Sequence, residues 1–198
     1  MTIIGITGPT GSGKTTALRE LERRGFEVID CDRLYDGLLE RDGVLRQALA
    51  DAFGPVFLPD GGLDRKTLAA RVFGDSRELE KLNAAVYPAV YGAVKEKIQK
   101  CSRKGVAIDA VNLIESGLGK LCDFTIAVTA DPAVRLQRIM ARDGISRERA
   151  QERIAAQKPD KFYRRSCTFL LENRAGSKAE FQALVGEFLD IILMDMEE

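Results

Sequence analysis

The stretch Gly8-Pro9-Thr10-Gly11-Ser12-Gly13-Lys14-Thr15 fills the spacing GxxxxGK[ST] and follows directly on the apolar run Ile3-Ile4-Gly5-Ile6. Nothing else in the chain narrows its fold as far. A strand that feeds a helix through a glycine loop needs a crossover back to a parallel neighbour, which points to an α/β sheet. The residue types also suit a specific chemistry. Small residues let successive backbone N–H groups wrap a polyphosphate, a lysine reaches its outer oxygens and a threonine hydroxyl can ligate Mg²⁺. The helix opening at Lys14 adds a favourable dipole. Gly11, Ser12, Gly13, Lys14, Thr15 and Thr16 therefore read as the binding set for ATP with Mg²⁺, and Thr7 to Thr15 as the floor of the site.

Composition removes several alternatives. The chain has 198 residues, enough for one compact domain with insertions. Its 30 basic and 30 acidic side chains cancel, which argues against a broad surface for nucleic acid. With no histidine, an imidazole base, a histidine-bound metal and a histidine-containing triad are excluded, so proton transfer falls to a carboxylate, a lysine or water. Cys31, Cys101, Cys122 and Cys167 are scattered without a CxxC pair, so neither zinc nor a disulfide framework is expected. No signal-peptide pattern follows Met1-Thr2 and no apolar run approaches a membrane span. The expectation is a soluble, cytoplasmic protein, a monomer or weak homo-oligomer, acting on small molecules without a membrane or nucleic-acid partner.

The first helix is expected to begin at Lys14, bury Ala17, Leu18 and Leu21 and end near Gly25, with a second strand at Phe26-Glu27-Val28-Ile29-Asp30. Ligands of parallel sheets gather at the carboxyl ends of strands, which puts Asp30 and Asp32 on the side of the glycine loop. Residues 32–103 then read as helical. Asp64 and Asp75 are expected as caps, a loop is expected from Gly54-Pro55 to Gly61-Gly62, and Pro88 is expected to kink or restart a helix. That is too much helix for one crossover, so this segment is taken as an inserted subdomain supplying an acceptor pocket. The third strand, Val106-Ala107-Ile108-Asp109, ends in an acid suited to Mg²⁺ or its waters, and Glu115 is placed either to line the site or to cap the turn. Strand four is Phe124 to Thr129, and Asp131-Pro132 opens the helix carrying Arg135, Arg138 and Arg142 on one face. The charged segment that follows, with Asp143-Gly144 as a hinge and Ser146 opening a short helix, reads as a lid that brings arginine to a transferred phosphoryl group. Strand five is expected at Cys167-Thr168-Phe169-Leu170-Leu171. Ser177 and Glu180 form a capping box for a last helix with Phe181, Leu184, Val185, Phe188, Leu189 and Ile192 on its apolar face. Beside any family resemblance two readings stand: a P-loop kinase of a small hydroxylated or phosphorylated metabolite, a nucleoside or sugar included, and a nucleotide-dependent switch or binding protein. The last is disfavoured by the lack of NKxD and LSGGQ strings.

Four blocks together resemble the dephospho-coenzyme A kinase family over nearly the whole chain: Ile4 to Thr15; Gly25-Phe26-Glu27-Val28-Ile29-Asp30-Cys31-Asp32, close to that family's VIDAD; Leu63-Asp64-Arg65 with Leu82-Asn83 and Tyr87-Pro88; and Arg142-Asp143-Gly144 with Arg153-Ile154, Gln157 and Asn173. The resemblance implies a P-loop kinase-type three-layer fold with a five-stranded parallel sheet. Its parts would be a nucleotide-binding core (1–31, 104–141 and 160–198), an inserted helical acceptor domain (32–103) and a lid (142–159). It further implies transfer of the ATP γ-phosphoryl group to the ribose 3′-hydroxyl of dephospho-coenzyme A. By position Asp32 matches the base, Lys14 and Thr15 the ATP and Mg²⁺ residues, and Arg138 and Arg142 the lid arginines. Thr7, Asp32 and Glu115 are taken as acceptor-side residues, and Thr15 and Asp109 as metal ligands. Asp109-Ala110-Val111-Asn112-Leu113-Ile114-Glu115 stands where the family shows DxPLLFE, Tyr87 where it shows histidine and Asp36 where it shows a basic residue.

Overall fold

The computed structural model describes residues 1–194. Five strands, β1 (Thr2–Thr7), β2 (Phe26–Asp30), β3 (Gly105–Asp109), β4 (Phe124–Thr129) and β5 (Phe169–Glu172), form one sheet in the order β2-β3-β1-β4-β5, every adjacent pair parallel. The register pairs Ile6 with Asp109 and Asp109 with Asp30, so three strand ends finish level at one edge of the sheet. Alternate strand residues supply two cores, as the pleat requires. Ile4, Ile6, Ala107 and Ile126 pack under α1 (Lys14–Arg23) and α9 (Lys178–Met194), while Ile29, Val106 and Ile108 pack beneath residues of the inserted helices. This is the three-layer arrangement expected from the sequence.

The insert consists of α2 (Cys31–Arg41), α3 (Gly43–Phe53), α4 (Arg65–Val72) and α5 (Ser76–Lys100). Asp42 divides α2 from α3 because its carboxylate accepts from the N–H groups of Val44 and Leu45 and so starts a new helix. Asp64 and Asp75 cap α4 and α5 as expected. Pro88 does not restart a helix: α5 runs unbroken for 25 residues through it. Proline in a helix interior costs about 3 kcal/mol. Here both halves are held by packing, Leu82 and Ala85 on the insert's own core with Leu45, Leu49 and Phe53, and Val90 and Val94 under the sheet.

Beyond β4, α6 (Pro132–Asp143) ends at Gly144, which adopts the left-handed φ of 62° that its lack of Cβ permits. The charged segment forms two helices rather than one, α7 (Arg147–Ala155), capped by Ser146, and α8 (Asp160–Ser166). β5 starts two residues later than expected. Thr168 instead exchanges side-chain and backbone bonds with Thr125, N to Oγ1 at 3.0 and 3.1 Å in the two directions, in place of a ladder. The Ser177–Glu180 capping box is formed in both directions. On α9 Phe181, Val185, Leu189 and Ile192 are buried, whereas Leu184 is 42% exposed, so the apolar stripe is narrower than the sequence suggested.

Candidate active site

The glycine loop joins β1 to α1 in a conformation that only glycine tolerates. Gly8 has φ 131°, and a Cβ there would meet the Val128 carbonyl at 2.0 Å. Gly13 has φ 110°, and a Cβ there would stand 2.7 Å from Asn173 Nδ2. Distant elements grip the loop by its carbonyls. Arg135 Nε donates to Thr10 O at 3.0 Å, Asn173 Nδ2 to Ser12 O at 2.9 Å, and Arg138 Nη1 to Gly11 O and Ser12 O at 3.2 and 3.4 Å. With its carbonyls turned outward, the loop leaves the N–H groups of Gly11, Gly13, Lys14 and Thr15 with no acceptor among the described residues. A row of unpaired donors at a helix N-terminus is a cradle for an anion.

That cradle faces a cavity of about 540 Å³, lined by the loop, Asp30, Asp32, Asp109, Val111, Arg138 and Arg142. Lys14 Nζ donates to Gly8 O at 2.9 Å. Burial lowers its pKa, opposed by the charges of Asp109 and Asp32. Asp109 is pushed up to about 6, chiefly because burial strips water from its carboxylate, with Lys14 opposing and Asp30 and Asp32 adding repulsion. The Asp32 carboxyl is raised for the same leading reason, then by Asp30, although the residue as a whole is exposed. Asp30 Oδ1 accepts from the N–H of Arg33 and so is occupied as the cap of α2. Asp32 makes no hydrogen bond within the described residues.

Comparison with known proteins shows the family to which a chain with this cleft belongs. The family profile described as dephospho-CoA kinase matches residues 2–179. The chain belongs to the dephospho-CoA kinase family. Among curated relatives, the dephospho-CoA kinase of Geobacter sulfurreducens is 39% identical over 163 residues, 80% of this chain and 83% of that protein. The dephospho-CoA kinase of Anaeromyxobacter dehalogenans is 36% identical over 200 residues, 99% and 92% of the two chains. The solved structure of TT1252 from Thermus thermophilus superposes with a TM-score of 0.78 at 33% identity, covering 96% of this chain and 97% of that one.

Within this family member, the structure brings Lys14, Thr15, Asp32, Asp109, Arg138 and Arg142 around one cavity. Asp32 also borders a second cavity of about 220 Å³, walled by Tyr35, Val86, Tyr87 and Leu118 of the insert and the turn after β3. Thr16 lies on the other side of the loop, in a cavity of about 360 Å³ with Arg138, Asn173, Ser177 and Phe181. Two expected residues are placed elsewhere. Thr7 is 1% exposed and its hydroxyl donates to Val111 O, which fixes the turn after β3 rather than facing the cleft. Glu115 is exposed and lines neither cavity, although its charge adds to burial, the chief cause, in raising the pKa of Tyr87 and Tyr163. Arg142 lines the cleft while its guanidinium is held by Asp143, at 2.7 and 3.0 Å.

Arg135 is engaged differently from the other two arginines of that helix face: it is 4% exposed. Besides Thr10 O it donates to Gln157 Oε1 at 2.6 Å, and Gln157 in turn donates to Thr10 Oγ1 at 2.7 Å and accepts from Thr10 N. The segment after α7 is thereby tied to the glycine loop.

Among the described residues no group of three or more acidic, cysteine or histidine side chains encloses a metal. The donors present fit Mg²⁺ nonetheless. Thr15 and Asp109 offer hard oxygens on the same cavity, and Mg²⁺ characteristically takes one or two protein oxygens and completes its octahedron with phosphates and water.

Proposed function

We propose that this chain transfers the γ-phosphoryl group of ATP to the ribose 3′-hydroxyl of dephospho-coenzyme A, the last step of coenzyme A synthesis. Membership of the family supports the reaction, and the observation that carries the residue roles is the placement of Lys14 and the unengaged Asp32 on one cavity. The free N–H groups of the loop hold the polyphosphate, and Lys14 follows the outer oxygens as charge shifts between them. Asp32 accepts the proton of the attacking hydroxyl as the new P–O bond forms and the bond to the β-phosphate oxygen breaks, releasing ADP. Burial raises the Asp32 pKa, which makes it a better proton acceptor than an ordinary aspartate. Arg138 and Arg142 line the cleft where charge spreads over the transferred group. Mg²⁺, held by Thr15 and Asp109, would neutralise the β and γ oxygens.

In this reading the apolar cavity beside Asp32 receives the acceptor's adenosine, and the cavity beyond Thr16 receives the base of ATP. Residues 32–103 act as the acceptor domain and 142–159 as the lid. No described helix is long and apolar enough to cross a membrane, and we place the reaction in the cytoplasm, in a monomer or weak homo-oligomer with no nucleic-acid partner. Incubation with Mg-ATP and dephospho-coenzyme A is expected to give ADP and coenzyme A in equal amounts. A folded, ATP-binding preparation that forms no coenzyme A, or that phosphorylates a nucleoside or sugar faster, would overturn the assignment.

A further inference from the structure

On the far side of α2 from the apolar acceptor cavity, a groove of about 580 Å³ runs along the free edge of β2. Its floor is Val28, Leu34 and Leu38, and its rim carries Arg33 and Arg41 from α2 and Lys97 from α5, all exposed. Two carboxylates also line it. Both are occupied as helix caps, Asp30 accepting from Arg33 N and Asp42 from Val44 N and Leu45 N. Arg33 has only a 3.4 Å pairing with Asp30, and Arg41 and Lys97 have no ion-pair partner among the described residues. Arg33, Gly37 and Arg41 are spaced i, i+4 and i+8, hence on one face of α2, with the arginines about 12 Å apart along the axis.

Gly37 is the second observation. A glycine in a helix interior costs roughly 1 kcal/mol relative to alanine, and this one has neither a positive φ nor a crowded neighbour to require it: a Cβ would meet nothing within 4 Å. Midway between two arginines, it leaves helix backbone bare on the wall of a groove that reaches Asp30, which borders the catalytic cleft as well.

The geometry points to this groove as the subsite for the diphosphate and pantetheine arm of the acceptor. The inference rests on the kinase assignment above. With the reacting hydroxyl at Asp32, the first turn of α2 separates a mainly apolar cavity, charged only at Asp32, that suits an adenine from a cation-rimmed groove that suits a diphosphate. The three cations outnumber the capped carboxylates of Asp30 and Asp42 and leave the rim positive toward a diphosphate of two negative charges, the bare Gly37 backbone gives it room, and Val28, Leu34 and Leu38 receive the dimethyl part of the arm.

Initial-rate kinetics of the full-length protein test this with the triple variant Arg33→Ala/Arg41→Ala/Lys97→Ala and with Gly37→Leu. Loss of charge-assisted bonds is expected to raise KM for dephospho-coenzyme A by about tenfold or more in the triple variant, with KM for ATP within about twofold of wild type and kcat largely retained. Gly37→Leu is expected to raise the same KM while raising the melting temperature, because leucine favours the helix it obstructs. KM values for the acceptor unchanged in both variants, or a parallel rise in KM for ATP, overturn the subsite while leaving the kinase assignment standing. A wild-type protein that forms no coenzyme A overturns the assignment and the subsite with it.

Discussion

Asp30 and Asp32 lie two residues apart, have the same chemistry and border the same cleft, yet only one is available to a substrate. Asp30 is consumed by the N–H of Arg33, while Asp32 stands in the first turn of α2 with no hydrogen-bond partner among the described residues and a pKa raised by burial. Asp32→Asn is therefore expected to keep ATP affinity and lose turnover by ~10²–10⁴-fold, the usual share of a general base; turnover within a few-fold of wild type in steady-state assays would remove it from the mechanism. Asp109 gives the stability a pH dependence. Between its ordinary value of 3.8 and about 6 the folded protein holds a proton that the unfolded chain releases, so this group favours folding at low pH. The contribution is lost as pH rises through about 4 to 6, and above that the ionised, partly buried carboxylate costs at most roughly 3 kcal/mol. In urea titrations of metal-free protein, Asp109→Asn is expected to be the more stable form at pH 8 and to flatten that slope; an unchanged slope would contradict it.

At the level of elements, the glycine loop is held from outside rather than by its own residues. Arg135 on α6, Gln157 after α7 and Asn173 after β5 reach it from three parts of the chain. The arrangement is not fully relaxed: Ser12 Oγ and Asn173 Oδ1 are buried without partners, a cost of about 1–3 kcal/mol each. Positioning the loop's donors thus takes precedence over stability. Arg135→Met is expected to leave the Thr10 carbonyl unpaired, raise KM for ATP roughly tenfold and lower stability by about 1–3 kcal/mol. Thermal melts and ATP kinetics check both, and a variant with normal ATP kinetics would show that the loop does not need this clamp. The Asp143 pairs with Arg142 and Arg153 lie at the surface and are individually weak, so the proposed role of Arg142 at the phosphates would cost little to reach.

On the scale of the molecule, the insert carries a core of its own, with Leu45, Leu49 and Phe53 at 1%, 0% and 2% exposure, joined to the sheet through α5. Leu49→Ala is expected to cost about 2–5 kcal/mol and to raise KM for the acceptor more than KM for ATP, since it loosens the wall behind Asp32 and not the loop; equal effects on both in the same assay would argue that insert and core move as one. Much of this architecture was legible in the chain. β2 and β4 fall where the apolar runs end, and the caps at Asp64, Asp75, Asp131 and Ser177 form as their spacing suggested. Those features are local: strand period, glycine freedom and side-chain capping act within a few residues, and the loop GxxxxGK[ST] carries its phosphate chemistry in its own backbone. What tertiary structure alone decided involves partners far apart in sequence. Pro88 stays within a helix because packing on both sides outweighs its lost hydrogen bond. Arg135 is buried because Thr10 and Gln157 supply acceptors, Thr7 and Glu115 are turned from the cleft, and Asp32 rather than Asp30 is left free. By itself the sequence determined the glycine loop and the family, because short-range chemistry encodes both; the surroundings of the proposed acceptor site awaited the fold, because they are assembled from helices whose contacts no local pattern specifies.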